Sequence, residues 1–130
     1  MEDFDEAERD WIKARKSARE AKSEFAEGKV LPNLADIAMK SGKYDLSRSY
    51  LDKSAEIFKK YNDYEGIAIV EFNHALLCAE LKDIEGIKDH FKRCKEIAFP
   101  LPAPFLLKIF RDEVIKRSED NGLEGIQNII

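Results

Sequence analysis

Gly42-Lys43-Tyr44-Asp45-Leu46-Ser47-Arg48-Ser49-Tyr50-Leu51-Asp52-Lys53-Ser54-Ala55-Glu56-Ile57 is the stretch whose reading decides the fold. Its first four residues read as a tight turn. Beyond the turn, Ser47, Tyr50, Leu51, Ser54 and Ile57 fall at the three- and four-residue spacings of a helix that buries one side. The turn has echoes. Asp3-Phe4-Asp5, Lys43-Tyr44-Asp45, Asp83-Ile84-Glu85 and Gly122-Leu123-Glu124 each join a large apolar residue to an acidic one, with starts 40, 40 and 39 residues apart. A period of that size marks a stacked helical repeat, in which no unit buries its apolar face alone.

Working outward from the turn, the spacing predicts about seven helices and no strand. Residues 3 to 27 read as one long helix, with a seam of Phe4, Ala7, Trp11, Ala14, Ala18, Ala21 and Phe25, stopped by Gly28. Pro32-Asn33 opens the second helix, which ends at Ser41-Gly42. The third runs from about Asp45 to Tyr61, the fourth from Glu65 to Leu81 and the fifth from Glu85 to Phe99. Alternating prolines at 100, 102 and 104 exclude regular helix, although Pro104 suits the first turn of the next one. A sixth helix reaches about Ser118, and a short last helix starts near Leu123.

The 130 residues fit one domain with a core. Apolar residues make up 44% and charged residues 37%, the balance of a water-soluble helical protein. A net charge of -4 argues against non-specific nucleic-acid binding, which needs a basic field. No apolar run nears the ~20 residues of a membrane span. The acidic start Met1-Glu2-Asp3 lacks the basic and apolar regions of a secretory signal. With two cysteines, a reducing cytoplasmic setting is expected.

Asn33 to Ile57 aligns with Asn73 to Ile97 at an offset of 40, matching Asn33/Asn73, Ala35/Ala75, Glu56/Glu96 and Ile57/Ile97. With Gly42-Lys43-Tyr44-Asp45 and the small residues Ser47 and Ser54, this pattern resembles the tetratricopeptide repeat family, in a longer form of about 40 residues against the usual ~34. The resemblance implies an all-α, right-handed stack of antiparallel helix pairs forming a single domain. It divides that domain into a half repeat at 3–28, repeats at 31–61 and 65–99, and a degenerate repeat at 103–130. It also implies a non-catalytic scaffold that binds a protein or peptide in a concave groove, or by end-stacking. No cofactor, nucleic acid or membrane partner is expected. The C-terminal helix stays apolar to Ile130, so it is expected to be covered by a longer array or by a second copy.

In such a stack the concave wall is built from the first helix of each pair. That places Asp36, Met39 and Lys40, then Phe72, Leu76 and Ala79, then Arg111 and Ile115 on the wall. The alternative for Phe72 and Leu76 is plain core packing, the commoner fate of an apolar helical stripe. Asn33 and Asn73 match an asparagine that some family members use to clamp a carboxylate. Pro32 and Asp36 stand where the clamp's other residues belong, so that version is rejected.

His74 and Cys78 lie four apart on one helix, and His90 and Cys94 four apart on the next. Antiparallel pairing about Asp83 would set His74 opposite Cys94 and Cys78 opposite His90. That gives the ligand set of a structural zinc site, although the spacing matches no common zinc motif. The alternative is two small core cysteines and two partly exposed histidines. The runner-up to the scaffold is therefore a small helical bundle with a structural metal or a nucleotide-related role. The six glycines form no phosphate-cradling motif, no serine–histidine order suggests a triad, and no arginine precedes a histidine at ribonuclease-like spacing.

Overall fold

The computed structural model describes residues 4–98 and 104–130. Asp3 and the proline-rich stretch at 99–103 lie outside the described residues. Among the described residues six α-helices follow one another: α1 Phe4–Glu20, α2 Glu24–Lys40, α3 Tyr44–Lys60, α4 Tyr64–Glu80, α5 Ile84–Ala98 and α6 Pro104–Asp120. A 3-10 turn at Ile126–Asn128 ends the chain, and the described residues hold no strand. The expected seventh helix is thus a single turn. Gly122 and Gly125, three residues apart, both take left-handed φ values of 82° and 80°, which keeps a regular helix from starting at Leu123.

Helices α2 to α6 begin at residues 24, 44, 64, 84 and 104, one start every 20 residues. Among the described residues, the four turns from α1 to α5 and the turn after α6 share one geometry. At Lys22, Gly42, Asn62, Lys82 and Gly122 the backbone is left-handed, with φ between 53° and 82°. The N–H of the next residue then bonds a carbonyl five residues back: Ser23 to Ala18, Lys43 to Ala38, Asp63 to Phe58, Asp83 to Cys78, Leu123 to Ser118, all at 2.8–2.9 Å. These are Schellman closures, which satisfy the last carbonyls of one helix. The residue after the left-handed one caps the next helix in three of the turns. Ser23 Oγ accepts from the Ala26 N–H, Asp63 Oδ1 from Gly66 and Asp83 Oδ1 from Gly86. Three residues therefore stop one helix and start the next.

The first helix boundary departs from the sequence reading. The long helix over 3–27 is two helices with a turn at Ala21-Lys22-Ser23, and α2 runs through both Gly28 and Pro32. Proline at 32 has no N–H for the Gly28 carbonyl, and inside a helix that loss usually breaks or kinks it. Here the Ser54 hydroxyl, from α3, donates to the Gly28 carbonyl at 2.8 Å. Gly28 is needed for that approach, because a Cβ there would lie 2.7 Å from Ile57 Cγ2. A second serine, Ser47, donates to the Ala35 carbonyl at 2.7 Å.

The chain forms two compact units, the first ending at Gly66 and the second starting at Ile67. In the first, Val30, Leu31, Leu34 and Ile57 form a core, with Trp11, Ala14 and Tyr50 packed against it. Gly66 admits the Phe58 ring, which a Cβ would meet at 2.7 Å. In the second unit Val70, Leu77, Ile87, Phe91, Cys94, Val114 and Ile126 are fully buried. Fully burying a side chain of this size contributes ~1.5–3 kcal/mol. Stacked rings of Phe72 and Phe110, 4.2 Å apart, and an Arg117–Glu80 ion pair of 3.2 Å tie α4 to α6.

The shared turn yields a prediction with opposite signs at two equivalent positions. Lys82 bears the left-handed backbone without glycine's freedom, so Lys82→Gly should stabilise the fold by up to about 1 kcal/mol. Gly42 has open space around it, so Gly42→Ala should cost about 1 kcal/mol through conformation alone. Urea unfolding midpoints of both variants check this.

Candidate functional site

Helices α1 and α2 do not close completely along their length. Phe4, Ala7 and Trp11 from α1 and Asn33, Asp36, Ile37 and Lys40 from α2 line a groove of about 380 Å³. The apolar seam of α1 supplies its floor, with Phe4, Ala7 and Trp11 each half-buried. Asp36 and Lys40 stand one helical turn apart and pair at 3.0 Å, with both side chains 37% exposed. An ion pair that open to water contributes ~1 kcal/mol or less, so both groups remain available to a ligand. Asn33 turns its amide back onto the Lys29 carbonyl at 3.3 Å.

What holds the groove's two walls is charge beneath the surface. Glu27 of α2 is only 8% exposed and accepts from Arg15 Nε at 3.1 Å and Arg19 Nε at 3.2 Å, both on α1. Burial alone would raise its pKa, but the hydrogen bonds and charges of Arg19 and Arg15 outweigh burial and lower it. The clamp thus fastens α1 to α2 as long as Glu27 is ionised.

The sequence-predicted wall residues separate by burial. Asp36 and Lys40 line the groove, and Met39, between them in sequence, is core at 3% exposure. In the second unit Leu76 and Ala79 are also core, at 5% and 0%. Phe72 is half-buried under its stack with Phe110. Arg111 donates through Nη2 to the Gln127 carbonyl at 2.8 Å, and Ile115 is half-buried. Sequence reasoning assigned Phe4, Ala7 and Trp11 to a packing seam and missed them as groove residues. The signal was the twenty-residue half-period, which puts a turn at Lys22-Ser23 and makes α1 a separate wall.

The histidine and cysteine register differs from expectation by one helical turn. His74 stacks on His90, ring centroids 4.7 Å apart and 15° from parallel, and does not face Cys94. The α4–α5 turn is centred on Lys82, which sets 74 against 90, 71 against 93 and 78 against 86. A Cβ on Gly86 would accordingly meet Cys78 Sγ at 2.6 Å. Among the described residues no three His, Cys, Asp or Glu side chains converge as metal ligands. Glu71 lies 2.7 Å from His90 Nδ1 and 3.3 Å from Arg93 Nε. An ionised carboxylate can only accept, so Nδ1 donates to Glu71 in that state, and Arg93 Nη2 lies 3.1 Å from the same nitrogen. Burial would raise the Glu71 pKa, but His90 and Arg93 outweigh it and lower it. Cys78 and Cys94 are both buried. Burial, aided by the Glu71 charge, pushes the Cys94 thiol up to about 11, which suits a packing role rather than a thiolate ligand.

A chain whose described residues are helical and strand-free, with one helix start every twenty residues and small residues at the crossings, is a helical-repeat protein. The family model for the tetratricopeptide repeat matches residues 25–98, and the chain belongs to that family. Its repeats generally mediate protein–protein interaction, and the family is generally a non-catalytic scaffold. Comparisons with curated proteins and with solved structures return no match. No helix among the described residues is long and apolar enough to cross a membrane.

The Glu27 clamp gives a pH prediction. Its folded pKa lies below the ordinary value of 4.5, so its stabilisation is fully present above that value. The stabilisation is lost as pH falls through the lower folded pKa. Glu27→Gln should therefore lower the urea midpoint at neutral pH, and the gap from the parent chain should shrink on acidification below about pH 4.

Proposed function

We propose that this chain is a non-catalytic interaction module that binds a peptide segment of another protein along α1 and α2. The observation that carries the reading is the groove itself. It joins an apolar floor, Phe4, Ala7 and Trp11, to a rim of exposed hydrogen-bonding and charged groups, Asn33, Asp36 and Lys40. A concave, mostly apolar surface with a few fixed polar groups is the usual build of a binding site. It also fits the interaction role general to tetratricopeptide repeats. No catalytic role is assigned to any residue. A reducing, cytoplasmic setting suits the two buried thiols.

Peptide-array binding to the intact chain tests this. Trp11→Ala and Lys40→Glu remove a floor residue and a rim residue, and helix content by circular dichroism checks that both variants stay folded. The array should yield peptides that bind the parent chain and lose at least about tenfold in affinity on Trp11→Ala, as for a central aromatic anchor. Peptides that bind the parent and both folded variants equally would refute the groove as the site.

A further inference from the structure

We propose that the groove between α1 and α2 selects a basic segment of its partner, one that sets an apolar side chain on Trp11 and an arginine or lysine against Asp36. The inference rests on the peptide-binding reading above and adds the charge of the ligand. Its ground is the distribution of charge around the groove. From residue 4 to residue 12, α1 carries Asp5, Glu6, Glu8 and Asp10 against a single cation, Arg9. Glu8 is half-buried and lies one helical turn from both Phe4 and Trp11, and Asp10 lies one turn beyond Ala7. On the facing helix the rim offers Asp36.

Arg15 and Arg19, farther along α1, are already committed to Glu27. One carboxylate balances only one of the two charges, but the ion pairs hold both guanidiniums at Glu27, toward the other end of α1 from Asp5, Glu6 and Glu8. Among the described residues Lys40 is the one cation lining the groove, and its partner there is Asp36 itself. Because that pair is more than a third exposed and joins neighbouring turns of one helix, exchanging Lys40 for an incoming guanidinium costs little. Arginine fits best, since its planar, weakly hydrated head forks two donors onto a carboxylate. An acidic segment would meet Glu8, Asp10 and Asp36 as like charges, which is how such a rim discriminates.

Trp11 is the chain's only tryptophan, so its emission reports on this groove alone. Three amidated peptides of equal length serve as probes: one of arginine and leucine, one of glutamate and leucine, and one of serine and leucine. The arginine–leucine peptide should shift Trp11 emission saturably, and added salt should weaken it. Glu8→Lys with Asp36→Lys should reduce its affinity about tenfold, while Asp112→Lys on α6 should leave it unchanged. Equal affinity for all three peptides, or no loss in the Glu8→Lys, Asp36→Lys variant, would overturn the charge selection and leave the groove as a binding site. Saturable binding by the serine–leucine or glutamate–leucine peptide alone would do the same. Silence from all three peptides would overturn both the charge selection and the groove.

Discussion

Residue 32 brings no N–H to α2, and the carbonyl it leaves unbonded, that of Gly28, takes its hydrogen from the Ser54 hydroxyl on α3 at 2.8 Å. Both groups are buried, so neither has water as a substitute partner. A buried carbonyl with no donor costs ~1–3 kcal/mol, a large part of a small domain's stability. The bond therefore lets α2 run unbroken through a proline. It also fixes how close α3 lies, since the hydroxyl is short and Gly28 has no side chain to hold the helices apart. Glu27, Asp36 and Lys40 all take their positions from the helix that this bond keeps whole.

The chain contains its own control for this argument, forty residues on. Gly28, Pro32 and Ser54 correspond to Ala68, Phe72 and Cys94. Phe72 has an N–H and closes its helix in the ordinary way, so the Ala68 carbonyl needs no outside donor. The equivalent of Ser54 is accordingly a fully buried cysteine, a small packing residue and a weak donor. Proline occurs with serine, and a residue that keeps its donor occurs with cysteine. Ser47 and Ile87 vary in the same pair of helices. Ser47 bonds the Ala35 carbonyl across the helix crossing, and Ile87 fills its space with apolar volume.

The repeat was legible because it is written in local chemistry. Gly42, Asp45 and the spacing from Ser47 to Ile57 mark a turn and a helix face without reference to any distant residue. The start of α2 was not legible in that way. Gly28 and Pro32 are local signs of a helix end and a helix beginning, and here a hydroxyl 26 residues away overrides both. Lys22 hides its turn for a related reason, whereas the turns at Asn62-Asp63 and Lys82-Asp83 were read. At Lys22 the left-handed backbone is imposed by the helices on either side rather than invited by glycine. Among the candidate wall residues, Asp36 and Lys40 line the groove, and charge on a first helix is visible in the sequence as such. Met39, Leu76 and Ala79 share that helical face in sequence, but burial is a tertiary property and sends them inward. The histidine register failed by one turn because it depends on whether the bend is centred on Lys82 or beyond Asp83.

The groove follows from this construction: an unbroken α2, a separate α1 and a buried Glu27 joining them leave apolar and charged side chains side by side at one surface. The central claim is that Ser54 supplies the hydrogen bond that Pro32 withholds, and a double-mutant cycle tests it directly. Unfolding free energies would be measured for the parent chain, Ser54→Ala, Pro32→Ala and the double variant. Ser54→Ala should cost about 1–3 kcal/mol in the parent chain and much less once Pro32→Ala has restored an N–H to the Gly28 carbonyl. An equal cost in both backgrounds would contradict the account.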